Sequence, residues 1–272
     1  MLPTKVVSVW DPLKHLEEQP TPVCLQRLKR DIFDFVTNRP PRIFIAPEES
    51  DITRINVLML GAPGSPYEGG AFQFLVKCPP DYPVSPPRVR FLTTDEGRVR
   101  FHPHLCTIGM VCLSALGTGN AGPGWNPAQS LSSTLVSIQQ LLVERPLYEF
   151  MREARVGDAA NYDIFIQHEV IRVAVCDQVD AALREDPQCP PTFRKVILES
   201  FLELSGKHEN AVKARLHQTG RQLWDPLGYK YTTAQYDTLL LRLRSLKEKV
   251  QERKAAETAA AACVASAAAV YQ

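Results

Sequence analysis

The sequence lacks an excess of either charge: its 272 residues carry 31 Lys and Arg against 30 Asp and Glu, a formal net charge of +1. That balance gives no global attraction for nucleic acid or an anionic membrane, so those partners would need a local basic patch. There is no run of about 20 strongly apolar residues, and Met1 to Trp10 holds no apolar signal core. Neither a membrane span nor export is expected, which leaves cytoplasm or nucleus as the expected location. A disulfide framework is lacking too. The seven cysteines (Cys24, Cys78, Cys106, Cys112, Cys176, Cys189 and Cys263) are odd in number and irregular in spacing, in a chain long enough to build its own core. Reduced thiols follow. No internal repeat is present.

Proline is what the chain has in excess, 22 residues of which 18 precede residue 150, so the composition changes near the middle. In the first part, Thr21 and Pro22 read as N-cap and first helical residue, followed by Leu25, Leu28, Ile32 and Phe35 at helical spacing. Ile43 to Ile45, Ile55 to Leu60, Phe72 to Val76 and Val89 to Phe91 read as strands separated by Gly- and Pro-rich turns. Connections this short predict an antiparallel meander, because parallel strands need a crossover. Asn126-Pro127 are expected to cap a second helix with Leu131, Leu135, Ile138 and Leu142 on one face. The fold class is therefore α+β. After Asp158 the pattern is helical: Tyr162 to Val179, Phe193 to Leu204, Asn210 to Leu223, and a last helix opened by Thr232 to Gln235 with Tyr236, Leu239, Leu243, Leu246 and Val250 as its stripe. Residues 253–272 are mostly Ala, with helix propensity but little to bury, so a frayed helix or disorder is expected.

The thirteen residues Phe101 to Leu113 hold two of the six histidines and two of the seven cysteines, in a stretch that reads as surface loop with a short extended piece at Val111 to Leu113. Three readings are open from the residues alone. His102, His104, Cys106 and Cys112 could ligate zinc, although their spacing fits no paired pattern. A cysteine could act as a nucleophile beside a histidine. Or two small buried thiols lie near two solvated loop histidines.

A resemblance separates them. Pro66-Tyr67-Glu68-Gly69-Gly70 with Phe72, Asp81-Tyr82-Pro83 with Pro86-Pro87, Phe101-His102-Pro103, Cys112-Leu113 and Trp125-Asn126-Pro127-Ala128 occur in this order, and the run from Gly61 to Leu142 resembles the ubiquitin-conjugating enzyme family. Trp10-Asp11-Pro12-Leu13, the Gly-rich stretch between Cys112 and Trp125, and Asn161-Tyr162 through His168-Glu169 to Asp177 are similar to its Z-type branch, which carries a helical C-terminal extension.

The resemblance implies the ubiquitin-conjugating fold, an antiparallel meander with flanking helices plus that extension. The expected organisation is an N-terminal segment (1–19), a catalytic domain (20–155), a helical extension (156–252) and the tail (253–272). It implies Cys112 as the thioester cysteine, eight residues after His104, the last position of the family's His-Pro-Asn element. His104 replaces that Asn, which puts the rate of lysine attack in question more than charging. His102 is expected to serve loop geometry rather than act as a base. Glu149, with Glu144 second, is the expected acceptor-orienting acid. Arg27, Lys29 and Arg30 on the first helix are expected to meet the activating enzyme, and Val84 with Pro127 and Ala128 a ligase. The implied partners are ubiquitin, an activating enzyme of the alternative type, a ligase and substrate proteins. Neither metal nor cofactor is expected, since ATP is used by the activating enzyme. Two rivals remain: conjugation of another ubiquitin-like modifier, and a weakly active scaffold because of His104.

Overall fold

The computed structural model describes residues 9–119, 122–143, 158–225, 227–228 and 230–270, of which 158–160 and 261–270 are described by backbone alone. Two compact units emerge, residues 1–174 with 223–232, and residues 175–222 with 233–272.

The first unit opens with Trp10-Asp11-Pro12-Leu13. Asp11 accepts the Leu13 N–H to start a short 3-10 turn and pairs with Arg90 at 2.7 Å, whose guanidinium lies over the Trp10 ring. Helix α1 spans Pro22–Thr37, with Thr21 as its N-cap accepting the Cys24 N–H at 3.2 Å. Its buried face is Cys24, Leu28, Asp31 and Phe35, so the expected stripe is rotated: Leu25 and Ile32 are only partly buried. The strands β1 (Ile43–Pro47), β2 (Arg54–Leu60), β3 (Ala71–Lys77) and β4 (Arg88–Phe91) pair antiparallel in chain order, which is the expected meander. Its buried face joins Phe72, Phe74, Phe91 and Phe101, with ring centroids 5.1 to 6.4 Å apart.

Helix α2 spans Leu131–Gln140, and Leu131, Leu135, Ile138 and Leu142 are fully buried as expected. Its cap is not Asn126. Asn126 Oδ1 instead accepts the Ala128 N–H in a turn, and Ser130 with Ser133 forms a reciprocal capping box four residues later. Helix α3 (Asp158–Glu169) continues into a π-helical segment, Val170–Asp177, and then α4 (Gln178–Leu183). The division into units differs from the expected boundary at 155, because residues 158–174 pack into the first unit. Arg172 bonds both Glu169 and, at 2.7 Å, Asp95 in the loop after β4, while Glu169 also pairs with the buried His168. The hydrogen bond from Arg98, joined by Arg172 and opposed by burial, holds Asp95 down to about 2.

In the second unit, α5 (Pro191–Lys213) packs against the last helix, α6 (Tyr236–Val270). The stripe Tyr236, Leu239, Leu243, Leu246 and Val250 is buried, and Glu209 on α5 meets Lys213, Arg244 and Lys247. Two expectations fail. Asn210 to Leu223 is not one helix: α5 ends at Lys213, Gly220 takes φ +83, and Gln222–Asp225 (β5) pairs with Lys230–Thr233 (β6). Asp225 turns this hairpin by accepting the Leu227 N–H, and Trp224 packs on Tyr231 at 4.9 Å. Thr232 and Thr233 therefore belong to a strand, and α6 begins after them. The alanine-rich tail, for which a frayed helix or disorder is the expectation, continues α6 as helix to Val270. Alanine adds to a helix already nucleated by a packed stripe, which removes the nucleation cost a free tail would meet.

Candidate active site

The segment from Phe101 to Leu113 is a narrow loop fastened to the edge strand β4. Phe91 N–H donates to Gly109 O at 2.7 Å, and Arg90 bridges Met110. Gly109 has φ +91, and a Cβ there would meet Arg90 Cγ and Phe91 O at 2.9 Å, so the strand edge can approach only a glycine. At the other end, the Phe101 ring enters the core and its carbonyl accepts two phenol O–H groups, Tyr67 at 2.8 Å and Tyr162 at 2.7 Å. The first tyrosine comes from the Pro66-Tyr67-Glu68 landmark, the second from α3. Sequence reasoning missed both roles, although both tyrosines stood inside quoted motifs.

His102 is 1% exposed, and its Nδ1 accepts the His104 N–H at 3.0 Å, which leaves the ring proton on Nε2. Burial, with the nearby His104 and Arg100, lowers it to about 3, so it is neutral near pH 7 and acts as a brace for the turn. The His104 ring stacks on it at 5.4 Å, is partly exposed and is also lowered by burial and Arg100. The His104 carbonyl accepts the Cys112 N–H at 2.8 Å. The eight-residue interval is thus a direct backbone link.

Cys112 is partly exposed, and its Sγ lies 3.5 Å from Cys106 Sγ. At that distance either thiol can donate a hydrogen bond to the other. The hydrogen bond from Cys112 pulls Cys106 down against burial, and the same bond, with burial, pushes Cys112 up. The pair therefore loses its first proton more readily than an isolated thiol and holds its second more tightly. Among the described residues, no group of three or more His, Cys, Asp and Glu is arranged to hold a metal. After Cys112, a 3-10 turn (Ser114–Leu116) ends at Gly117, and the Thr118 hydroxyl donates to Val111 O while accepting the Leu113 N–H, so this part of the Gly-rich stretch is fastened.

The residues expected to meet partners are distributed differently. Lys29 and Arg30 are exposed on α1, alongside Phe33, 69% exposed, which the sequence reading missed. Arg27 is engaged internally: Nε donates to Asp31 at 2.8 Å, and the other nitrogens donate to the carbonyls of Pro127 and Gln129. Buried Asp31 also accepts from the Tyr82 hydroxyl and from Leu131 N–H at the start of α2. Trp125 Nε1 donates to Pro83 O at 2.8 Å and its ring packs against Tyr82. These contacts bring Val84, 70% exposed, onto a loop tied to the one carrying exposed Pro127 and Ala128. Glu149 and Glu144 lie outside the described residues.

Comparison with known proteins gives the family. A family model described as "Ubiquitin-conjugating enzyme" matches residues 27–160. The chain is 43% identical over 262 residues to ubiquitin-conjugating enzyme E2 Z of Xenopus tropicalis, covering 94% of this chain and 82% of that protein. It is 44% identical over 254 residues to ubiquitin-conjugating enzyme E2 Z of Homo sapiens, covering 91% and 70%. A Caenorhabditis elegans protein described as probable ubiquitin-conjugating enzyme protein 17 is 37% identical over 177 residues, 61% of this chain and 23% of that one.

Proposed function

The chain belongs to the ubiquitin-conjugating enzyme family, and from that premise we propose that Cys112 carries ubiquitin as a thioester and passes it to a substrate lysine. A transferase of this family works with ubiquitin, an activating enzyme and ligases. Cys112 gives up its proton, for which the neighbouring Cys106 sulfur 3.5 Å away is an acceptor, and attacks the ubiquitin carbonyl held on the activating enzyme's sulfur; the new S–C bond forms as the old one breaks, and the departing sulfur leaves as thiolate. A neutral lysine Nζ then attacks the Cys112 thioester, the amide forms, and the cysteine sulfur is released. The observation that carries this reading is the Cys112 N–H bond to the His104 carbonyl at 2.8 Å, which fixes a partly exposed sulfur on a braced loop.

In this reading His104 acts on the second step. Its ring is neutral near pH 7 and beside Cys112 in the loop, so it supplies an N–H donor where the family has an amide, toward the oxyanion that develops as lysine attacks. Lys29, Arg30 and Phe33 form the face offered to the activating enzyme, and Val84, Pro127 and Ala128 the edge offered to a ligase. No cofactor is needed by the chain itself, because ATP is spent by the activating enzyme, and the enzyme works in cytoplasm or nucleus.

Likeness to E2 Z relatives over more than nine-tenths of the chain supports the alternative type of activating enzyme as the donor. Charging rates with ubiquitin and with other ubiquitin-like modifiers, offered by the general and the alternative activating enzymes, test this. Fastest ubiquitin charging from the alternative enzyme is expected. Faster charging from the general enzyme, or with another modifier, would overturn the choice of donor or of modifier.

A further inference from the structure

A second sulfur lies beside the one read as the nucleophile, and the thioester chemistry gives it no task. Leu105 bridges Val111, Cys106 N–H donates to Met110 O at 2.9 Å, and Cys112 N–H donates to His104 O at 2.8 Å. Residues 104, 106, 110 and 112 therefore share one face of a two-stranded ladder, on which Cys106 and Cys112 are diagonal neighbours. Their sulfurs are 3.5 Å apart, and a disulfide needs about 2.05 Å; diagonal neighbours on a ladder are ordinarily about 7–8 Å apart, so this approach of about 1.5 Å takes a shift of the loop backbone as well as side-chain rotation. Both residues are partly exposed, whereas Cys24, Cys78, Cys176 and Cys189 are buried, and burial pushes each of their thiols up. Oxidant therefore meets this pair ahead of those four.

We propose that Cys106 is a resolving thiol for Cys112: a peroxide joins the two sulfurs in a reversible disulfide, which removes the enzyme from ubiquitin transfer and keeps Cys112 from irreversible oxidation. This rests on the reading of Cys112 as the thioester cysteine. One sulfur of the pair, as thiolate, attacks a peroxide oxygen; the O–O bond breaks, hydroxide leaves, and a sulfenic acid forms. The neighbouring thiol, on losing its proton, attacks that sulfur, the S–O bond breaks and water leaves as the S–S bond forms. Two electrons pass from the two sulfurs to one peroxide. A dithiol reductant returns them. A lone Cys112 sulfenic acid would have no such neighbour and would proceed to sulfinic acid, which thiols do not reverse.

The test treats the full chain with hydrogen peroxide, alkylates the remaining free thiols, and maps disulfide-linked peptides. In parallel, ubiquitin charging is measured after peroxide, and again after dithiothreitol has been added and removed. The wild type should yield a Cys106–Cys112 linked peptide, lose charging, and regain its starting level with dithiothreitol. Cys106→Ser and Cys106→Ala, each normalised to its own untreated charging, should lose charging that dithiothreitol does not restore. Absence of the linked peptide, or equal recovery of these variants and the wild type, would overturn the proposal. A linked peptide in protein that still charges fully would show that the disulfide forms but that Cys112 is not the thioester cysteine, so failure of either reading is visible by itself.

Discussion

Arg27→Ala separates a structural strap from a docking residue on the same helix. Arg27 reaches Asp31 at 2.8 Å, Pro127 O at 2.9 Å and Gln129 O at 2.5 Å, with about one-fifth of its side chain exposed. Removing it deletes three charge-assisted bonds. Asp31 keeps its bonds from the Tyr82 hydroxyl and Leu131 N–H, and water can replace part of what the two carbonyls lose. The expected cost is about 2 to 3 kcal/mol, below the sum of three such bonds counted separately. Trp10, Trp125 and Trp224, the three tryptophans of the chain, all belong to the first unit, so urea unfolding followed by tryptophan fluorescence reports on that unit alone. The midpoint should fall by roughly 1 M for a slope near 2 kcal/mol per molar. Arg27→Lys should lie between the two, since an ammonium can keep the Asp31 pair but cannot fork to both carbonyls. Lys29→Ala, Arg30→Ala and Phe33→Ala should leave the midpoint unchanged while slowing charging. An unchanged midpoint for Arg27→Ala, together with slow charging, would refute the strap and return Arg27 to the docking face.

Three further outcomes are expected. His104→Ala should slow discharge of the ubiquitin thioester to free lysine about 10- to 1000-fold with charging intact, because the link to Cys112 uses the His104 carbonyl; equal single-turnover rates for His, Asn and Ala would remove position 104 from catalysis. His102, lowered to about 3 in the folded chain, takes up its proton near 6.5 when unfolded, so the unfolded state binds more protons between these values and its contribution to stability is lost as pH falls from about 6.5 toward 3. Unfolding midpoints measured against pH should show this slope, up to about 1.4 kcal/mol per pH unit, flattened in His102→Gln; identical slopes would refute it. Trp125→Phe keeps the ring against Tyr82 but loses the bond to Pro83 O, at a cost of about 1 kcal/mol; ligase-stimulated discharge should weaken while charging stays normal, and unaffected stimulation would dissociate this tie from ligase docking.

What the sequence made legible follows the strength of its local signals. The meander could be read because Gly and Pro turns follow β2 and β3 and Ser50-Asp51 lies between β1 and β2, and the Thr21-Pro22 start of α1 because the cap and the fixed φ act locally. The rotation of α1 could not, because its inner face contains Asp31, a carboxylate whose burial depends on Tyr82 and Leu131 from distant segments as well as on Arg27 one turn before it. In the site, the interval from His104 to Cys112 was legible as spacing and is a hydrogen bond in space. The double acceptor at Phe101 O and the Cys106–Cys112 approach are tertiary facts without a linear signature. The β5–β6 hairpin was hidden because Leu223 and Trp224 sit where a helical stripe could have continued, while Gly220 and the Asp225–Gly228 turn marked the break.

The most direct measurement of the central claim is charging of Cys112→Ser beside Cys106→Ser and the wild type, with ubiquitin, ATP and the alternative activating enzyme, resolved with and without reductant. The wild type should form one reductant-sensitive adduct, and Cys112→Ser should form either none or one that resists thiol, since a serine oxyester is not cleaved by exchange. A reductant-sensitive adduct that persists in Cys112→Ser and disappears in Cys106→Ser would contradict the assignment and move the thioester to the neighbouring sulfur.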